Sequence, residues 1–247
     1  MKELDKKYEA VGIVFAGGVG RRMNNDALPK QFLKVNGKPI IVYTLEVFQR
    51  TEEIDGVIVV IVSGWEQYMR ELVDEYKLTK VIDIVTGGVN TQQSQYKGLQ
   101  RLASETNDET VVLIHDGVRP LIDSKLLKDN IESVKKFGSA ITITPAIETI
   151  TEVDDSENIV KIVDRGNHRM ARAPQSYRLG DILNVHEKAI ADNRVDFIDS
   201  ASLMHAYGNR LMTVEGSTEN IKVTTPVDYF VFKGILEART QRDIFGQ

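Results

Sequence analysis

Residues 11–23 read VGIVFAGGVGRRM, and residues 28–32 read LPKQF. Residues 11–16 form a short apolar run of the kind found in central parallel strands. Gly17, Gly18 and Gly20 then let the backbone turn sharply and present its N–H groups. Because Arg22 and Lys30 add positive charge nearby, the stretch predicts a cradle for a phosphate chain. A glycine-rich turn without any ligand is the alternative, since short glycine motifs often occur without function.

The loop lacks the features of two common nucleotide-binding motifs. Met23 stands where the dinucleotide fingerprint has its third glycine, and no Gly-Lys-Ser/Thr sequence follows to form a Walker A loop. We therefore expect a nucleoside triphosphate that is held in a different way.

The composition limits the classes of protein to consider. A chain of 247 residues with 42% hydrophobic residues can bury one substantial core, so we expect one domain over residues 1–247. The net charge of -5 argues against binding to nucleic acid. The absence of cysteine excludes disulfides and fits a reducing compartment. Neither a signal core nor a long apolar segment is present, so we expect a cytoplasmic protein that does not bind a membrane.

Apolar runs alternate with amphipathic stretches along most of the chain. The predicted strands are 11–16, 57–63, 81–86, 111–115 and 140–144, and the predicted helices between them are 40–50, 65–76, 92–102 and 125–136. Later segments predict helices at 179–191 and 200–207, strands at 210–214 and 220–223, and a closing helix from Pro226. This alternation predicts an α/β, Rossmann-like fold with a mostly parallel sheet and helices on both faces.

The regular order is interrupted after Pro145. Residues 148–153 and 158–163 flank the acidic turn 154–157 in the pattern of a β-hairpin. We expect an arm over about residues 148–176 that protrudes from the sheet and carries Thr149, Arg165 and Arg169. Because a lone hairpin has little stability of its own, we expect the arm to find a second subunit and form a homodimer.

A carboxylate stands where ligands bind to such a fold, beyond the carboxyl ends of the strands. Asp116 directly follows the apolar strand and would lie opposite the glycine loop. It could hold a Mg²⁺ ion that bridges phosphate oxygens, or it could cap a turn and pair with Arg119. We expect His115 to be a hydrogen-bonded packing residue, because its sequence neighbours do not offer the cluster that a transition metal requires.

Two further segments bring polar groups toward the same edge. The turn with Gly87, Gly88 and Ser94 could bind the edge of a nucleobase or merely cap the following helix. Lys222 lies between apolar neighbours on the predicted strand 220–223. An inward Lys222 requires an anionic partner such as Asp116 or a phosphate, whereas a lysine on an edge strand would face solvent.

These motifs, taken in order, resemble a known family. AGGVGRRM (16–23), LPKQF (28–32), HDGVRP (115–120), APQS (173–176), DSAS (199–202) and NIKVT (220–224) are similar to the motifs of the cytidylyltransferases that make CDP-alditols. The family includes the 2-C-methyl-D-erythritol 4-phosphate cytidylyltransferases and the ribitol-5-phosphate cytidylyltransferases. The resemblance implies a single nucleotidyltransferase domain that transfers CMP from CTP to a polyol phosphate, releases pyrophosphate and uses Mg²⁺ or another divalent cation.

The resemblance also implies roles for individual residues. The catalytic residues would be Arg22, Lys30 and Lys222, which stabilise charge at the α-phosphorus and on the departing pyrophosphate. The nucleotide-binding residues would be Ala16, Gly17, Gly18, Gly20, Gly87, Gly88, Ser94 and Asp116, and Asp116 would also place the metal. The acceptor-binding residues would be Arg119, together with Thr149 and Arg165 of an arm that is exchanged across a dimer.

The motifs are divided on the identity of the acceptor. The family usually carries an arginine at the position of Thr91 and a threonine at the position of Ile198. Segments 199–202, 163–165 and 98–99 favour 2-C-methyl-D-erythritol 4-phosphate, whereas segments 118–120, 174–176 and 223–226 favour ribitol 5-phosphate. We expect the former, with ribitol 5-phosphate or another polyol phosphate as the alternative. A sugar-phosphate nucleotidyltransferase that uses UTP or GTP, and a non-catalytic nucleotide-binding protein, are more remote alternatives.

Overall fold

The computed structural model describes residues 7–17 and 28–245, with side chains up to residue 241. Of the predicted site residues, Gly18, Gly20 and Arg22 therefore lie outside the described residues. The strands are β1 (Ala10–Ala16), β2 (Lys34–Val35), β3 (Lys38–Pro39), β4 (Gly56–Ile61), β5 (Val81–Thr86), β6 (Val111–Asp116), β7 (Ser139–Pro145), β8 (Ile150–Val153), β9 (Ile159–Val163), β10 (Arg169–Arg178) and β11 (Thr213–Glu215).

The α-helices occur where the sequence predicts them. They are α1 (Ile40–Arg50), α2 (Glu66–Glu75), α3 (Thr91–Ala103), α4 (Ser124–Phe137), α5 (Leu179–Ala191), α6 (Ser200–Ala206) and α7 (Pro226–Phe245). Asn90, Asp123 and Asp199 cap α3, α4 and α6, because each side chain accepts a hydrogen bond from the backbone N–H three residues later. Short polar side chains thus define where these helices begin.

Seven strands form one sheet in the order β11-β7-β10-β6-β1-β4-β5. β1 pairs in parallel with both β4 and β6, β4 pairs in parallel with β5, and β7 pairs in parallel with β11. β10 runs antiparallel to its two neighbours, β6 and β7. The predicted mostly parallel sheet is confirmed, and it places the carboxyl ends of β1 and β6 side by side.

Apolar side chains cover both faces of this sheet. On one face, strand residues such as Val14 and Val59 pack against α1, α2 and α4. On the other face, residues such as Ile13 and Val60 pack against α3, α5 and α6. Successive side chains of a strand point to opposite faces, so the continuous apolar run of β1 is what a strand buried on both sides requires.

A third and smaller apolar cluster joins the carboxyl-terminal helix to the rest of the fold. Val118 and Val223 pack there with Phe232 of α7. The predicted strand 220–223 is wrong, because this segment has no strand partner and makes its bond from Val223 N–H to Val118 O in the loop after β6. The alternation of apolar and polar residues in this segment reflects the burial of Val223 in the small cluster and not a position in a sheet.

A hairpin stands apart from the main sheet, as predicted. Among the described strands, β8 and β9 pair only with each other in an antiparallel two-stranded sheet, and most of their residues are exposed. The expected arm boundary of about 148–176 differs from the structure, because β10 begins at Arg169 and pairs with β7 inside the main sheet. Arg169 thus starts a sheet strand, and the hairpin itself covers residues 150–163.

In the described part of the chain, no helix combines the length and the apolar character that crossing a membrane requires.

An alanine at Gly98 tests the close packing of α3 on the sheet. A Cβ there would lie 2.8 Å from side-chain carbons of both Ile13 and Val60. We expect Gly98→Ala to lower the free energy of unfolding by about 1–3 kcal/mol, because the added carbon overpacks the core. Gly234→Ala in α7 is the control, since nothing lies within 4 Å of its added Cβ. Urea unfolding measures both variants, and an equal effect of the two would contradict the close packing.

Candidate active site

The parallel pairing of β1 with β6 brings two predicted site segments together. In this register Phe15 lies opposite Asp116. β1 ends at Ala16 and is followed by Gly17, whereas β6 ends at Asp116 itself. Gly117 N–H donates to Phe15 O at 3.0 Å, which ties the two strand ends to each other. The start of the glycine loop and the Asp116 carboxylate therefore lie at one edge of the sheet, as the sequence predicts.

Asp116 lies between two cations. Its side chain is only 9% exposed, with Oδ1 2.8 Å from Lys222 Nζ and Oδ2 2.7 Å from Arg119 Nε. Burial raises the pKa of the Asp116 carboxyl, but attraction to Lys222 and Arg119 outweighs burial and leaves that pKa below its ordinary value. Asp116 is therefore an ionised carboxylate at neutral pH. The structure thus shows the Asp116–Lys222 pair, one of the alternatives that the sequence left open, and also the Asp116–Arg119 pair, which the sequence offered as the alternative to a metal site.

Backbone and amide hydrogen bonds position the two cations. Arg119 N–H donates to Asp116 O at 3.0 Å, so the turn after β6 folds the guanidinium back over the carboxylate. Arg119 Nη1 also donates to Asn220 O at 3.0 Å, and Asn220 Nδ2 donates to Ala173 O at 2.7 Å. Together with the bond between Val223 and Val118, these contacts bring the Lys222 segment across the end of β6.

His115 supports the same turn from inside the protein. Its ring is fully buried, and Nε2 lies 3.1 Å from Arg119 O. Burial lowers the pKa of the His115 imidazole to about 4, so the ring is neutral at physiological pH. The expectation that His115 is a hydrogen-bonded packing residue is confirmed.

Two cavities adjoin at Asp116 and Lys222. The larger, of about 290 Å³, is lined by Phe15, Ala16, Gly17, Lys30, Gln31, Gly88, Val89, Asn90, Thr91, Ser94, Asp116, Val118 and Lys222. The smaller, of about 220 Å³, is lined by Phe15, Thr91, Gln95, Ile114, Asp116, Arg119, Ala171, Arg172, Ala173, Gln175, Ile198, Asp199 and Lys222. Since Asp116 and Lys222 line both cavities, a molecule in one cavity can meet a molecule in the other at this pair.

Hydrogen bonds of Ser94 stabilise the turn that forms one wall of the larger cavity. Its hydroxyl accepts from Gly88 N–H at 2.9 Å and donates to Asn90 O at 2.8 Å. Gly87 lies behind this wall, because its N–H donates to Ile61 O at 2.7 Å and its carbonyl accepts from Lys97 Nζ at 3.0 Å. Gly88 and Ser94 thus face the larger cavity as expected, whereas the main-chain groups of Gly87 are used to close the turn.

The wall of the smaller cavity includes a cluster of polar side chains that are hydrogen-bonded to one another. Gln175 Nε2 donates to Asp199 Oδ2 at 2.8 Å, and Gln175 Oε1 accepts from Ser200 Oγ and from Ala201 N–H. Asp199 Oδ1 accepts from Ser202 N–H at 2.8 Å as the cap of α6. These bonds fix β10 to the beginning of α6 and shape the cavity.

Sequence reasoning missed several residues of these cavity walls, and three of them carry large polar side chains. Gln31, Gln175 and Arg172 were not assigned to the site, although two of them lie in motifs that carried the resemblance. Gln31 Nε2 donates to Ala16 O at 2.6 Å, and its buried Oε1 has no hydrogen-bond partner among the residues that the structure describes. The motifs LPKQF and APQS were the available signal for the two glutamines, whereas no local pattern pointed to Arg172.

Thr149 and Arg165 lie away from both cavities. Both residues are exposed beside the hairpin, and Arg165 Nη1 donates to Ile147 O at 2.8 Å. Within residues 7–17 and 28–245, no group of three or more His, Cys, Asp or Glu side chains could hold a metal ion by itself. Asp116, the residue that the sequence predicts to hold the metal, lines both cavities.

Known proteins resemble the chain over nearly its whole length. It is 51% identical to a ribitol-5-phosphate cytidylyltransferase of Streptococcus agalactiae serotype V, with 96% of this chain and 98% of the relative covered. Identity is 45% to the Vibrio parahaemolyticus protein of the same name, with coverages of 96% and 99%. It is 37% to a 2-C-methyl-D-erythritol 4-phosphate cytidylyltransferase of Clostridium novyi, with coverages of 91% and 95%.

A solved structure and a family model agree with these relatives. The structure of 4-diphosphocytidyl-2C-methyl-D-erythritol synthase from Anaerococcus prevotii matches with a TM-score of 0.80 and 26% identity, over 93% of this chain and 96% of that one. The model of the family described as IspD, 2-C-methyl-D-erythritol 4-phosphate cytidylyltransferase, matches residues 10–238. With this match over most of its length, the chain belongs to the IspD family of cytidylyltransferases.

Proposed function

We propose that this CTP-dependent nucleotidyltransferase transfers CMP from CTP to ribitol 5-phosphate and releases pyrophosphate. The observation that carries the proposal is the pair of adjoining cavities that share Asp116 and Lys222. One cavity would hold the nucleotide and the other the polyol, and their phosphates would meet at the shared pair. Family membership supplies the reaction class, and the two-cavity geometry supports a transfer between two bound anions.

The relatives favour ribitol 5-phosphate as the acceptor. Those named for ribitol 5-phosphate are 51%, 45% and 38% identical to this chain, whereas those named for 2-C-methyl-D-erythritol 4-phosphate are 37% and 35% identical. The preference for methylerythritol phosphate drawn from the motifs is therefore less well supported than its alternative. Ile198 lines the smaller cavity and Thr91 lines both, so the departures from the family pattern fall in or beside the cavity where an acceptor would bind.

Positioning and charge would supply most of the catalysis. An oxygen of the acceptor phosphate attacks the α-phosphorus of CTP and forms a new P–O bond, while the bond from the α-phosphorus to the bridging oxygen breaks and pyrophosphate leaves. Lys222 would neutralise charge on the reacting phosphates from the shared wall, and Lys30 would do so from the larger cavity. Arg22 would act beside Lys30, and it lies outside the described residues.

The larger cavity would hold the nucleotide. Ala16 and Gly17 continue into the glycine loop, where Gly18 and Gly20 would wrap the phosphate chain with backbone N–H groups. Gly88 and Ser94 would face the base, and Gly87 would keep their turn closed. A rigid turn of this kind favours one pattern of donors and acceptors, which is the basis for distinguishing cytosine from uracil.

Asp116 is suited to a magnesium ion. Mg²⁺ usually takes one or two carboxylates together with waters and substrate phosphates, so a single ionised carboxylate at the junction is a sufficient protein ligand. Its oxygens now accept from Lys222 and Arg119, and Lys222 has a half-exposed side chain that can move to a phosphate. When bound, the ion would neutralise phosphate charge and orient the triphosphate.

The hairpin would make the enzyme a homodimer. Ile159, Val160 and Ile162 are each more than 60% exposed, so β9 presents apolar surface to solvent in a single chain. A two-stranded sheet with this much exposed apolar surface is expected to pack on a second copy. Thr149 and Arg165 would then reach the acceptor cavity of the partner, since they line neither cavity of their own chain.

A substrate panel tests the proposed reaction. We expect rapid pyrophosphate release from CTP and Mg²⁺ with ribitol 5-phosphate, and much slower release with 2-C-methyl-D-erythritol 4-phosphate or glycerol 3-phosphate. UTP and GTP replace CTP in parallel reactions. A preference for the methylerythritol substrate would contradict the proposed acceptor, and no release with any acceptor would contradict catalysis.

The substitution Lys222→Ala tests the shared junction. We expect kcat/KM to fall by about 100- to 1,000-fold, the size of effect seen when one donor to a developing anion is removed. The matched control is Lys233→Ala, because Lys233 has a similar side-chain exposure, 46% against 42%, and also lies beside a carboxylate. Unchanged circular dichroism would show that both variants fold, and near-normal turnover of Lys222→Ala would contradict its role.

The substitution Ile162→Lys tests the arm. We expect it to convert a dimer into a monomer in analytical ultracentrifugation, because a charge replaces apolar surface in the interface. Ile190→Lys on α5 is the control, since Ile190 is also partly exposed but lies away from the hairpin. A monomeric wild type, or a dimer that survives Ile162→Lys unchanged, would contradict dimerisation through the arm.

A further inference from the structure

Arg172 brings a second guanidinium into the smaller cavity. It lies on β10 between Ala171 and Ala173, and all three residues line this cavity. Arg172 is absent from the wall of the larger cavity, in contrast to Asp116 and Lys222. Arg172 therefore faces the part of the site that is farther from the nucleotide.

The other cations of the smaller cavity already have partners. Arg119 and Lys222 both bind the Asp116 carboxylate, and Arg119 also binds a backbone carbonyl. Arg172 makes no ion pair among the described residues, and its Nε donates to Thr144 Oγ1 at the long distance of 3.3 Å. Burial and the nearby charge of Arg119 both lower the pKa of Arg172, which reflects a cation without compensation.

The polar groups on the opposite wall bond to other partners and not to Arg172. Both oxygens of Asp199 accept hydrogen bonds from protein donors, and Gln175 is bonded through both its nitrogen and its oxygen. The terminal nitrogens of Arg172 thus carry donors that no described protein group satisfies. A guanidinium offers five N–H donors in one plane, a geometry suited to two neighbouring oxygen acceptors.

We propose that Arg172 is a specificity-determining residue that hydrogen-bonds the hydroxyl oxygens of the polyol chain of the acceptor. This inference rests on the proposed function, because the acceptor phosphate must lie at the shared pair Asp116 and Lys222 to reach the nucleotide. The polyol then extends into the smaller cavity, away from the junction and toward Arg172. A longer chain with hydroxyls at its far end would reach the guanidinium, and a short chain would not.

The test compares two acceptors that share a phosphate and differ in chain length. Arg172→Met keeps an unbranched side chain and removes the donors. At saturating CTP, we expect kcat/KM for ribitol 5-phosphate to fall by about 10- to 100-fold, mainly through KM, as for the loss of hydrogen bonds from a charged donor. For glycerol 3-phosphate, as a substrate or as a competitive inhibitor, we expect a change of less than about threefold, since its chain stops short of Arg172. The KM for CTP should not change.

Arg178→Met is the matched control. Arg178 is the last residue of the same strand, is half-buried like Arg172 and lines neither cavity. We expect its kinetics to match those of the wild type with both acceptors. Equal losses for ribitol 5-phosphate and glycerol 3-phosphate in Arg172→Met would assign the guanidinium to the phosphate and overturn the inference. No loss with either acceptor would also overturn it.

The wild type in the same assay keeps the two proposals apart. Failure of the wild type to use ribitol 5-phosphate while it uses 2-C-methyl-D-erythritol 4-phosphate would overturn the proposed acceptor. The effect of Arg172→Met is then measured as the ratio between the methylerythritol substrate and glycerol 3-phosphate. A fall in that ratio supports Arg172 as the residue that reads the polyol chain, and a constant ratio rejects it.

Discussion

A buried carboxylate that is shared by two cations organises this end of the sheet. Asp116 is almost completely removed from water, and it remains ionised because Lys222 and Arg119 each bind one of its oxygens. Removal of one partner from a buried ion pair costs roughly 3–5 kcal/mol, because a buried charge is left uncompensated. Loss of Lys222 would cost less than loss of a fully buried partner, because the Lys222 side chain is partly exposed to solvent. In the proposed reaction, this arrangement would keep Lys222 in position and let it exchange the carboxylate for a phosphate.

The site has two parts, which lie beside different strands of the sheet. The parallel strands β1 and β6 bring Gly17 and Asp116 to one edge, and the turn before α3 completes the larger cavity. The antiparallel strand β10 lies on the other side of β6 and carries Arg172 and Gln175 into the smaller cavity. If Arg172 binds the acceptor as proposed, a substitution on β10 would alter the choice of acceptor without disturbing the strands that would hold the nucleotide.

Local patterns in the sequence predicted the helices and the parallel strands, because periodicity and capping residues act over a few positions. The partnership of Lys222 with Asp116 was one of the alternatives that the sequence offered, since an inward lysine needs an anion, but the sequence did not separate it from a lysine that faces solvent. The strand expected at 220–223 was wrong, because alternation of apolar and polar residues does not reveal which element lies alongside. The position of β10 was missed for the same reason, and with it the cavity that Arg172 enters. Such placements depend on contacts between segments that are distant in the chain.

A crystal structure with bound CDP-ribitol, the product of the proposed reaction, is the most direct test of the two-cavity site. The cytidine is expected in the larger cavity and the polyol in the smaller one, with the diphosphate within hydrogen-bonding distance of Lys222 Nζ. A product that lies in one cavity only, or whose phosphates are beyond the reach of Lys222, would contradict this account.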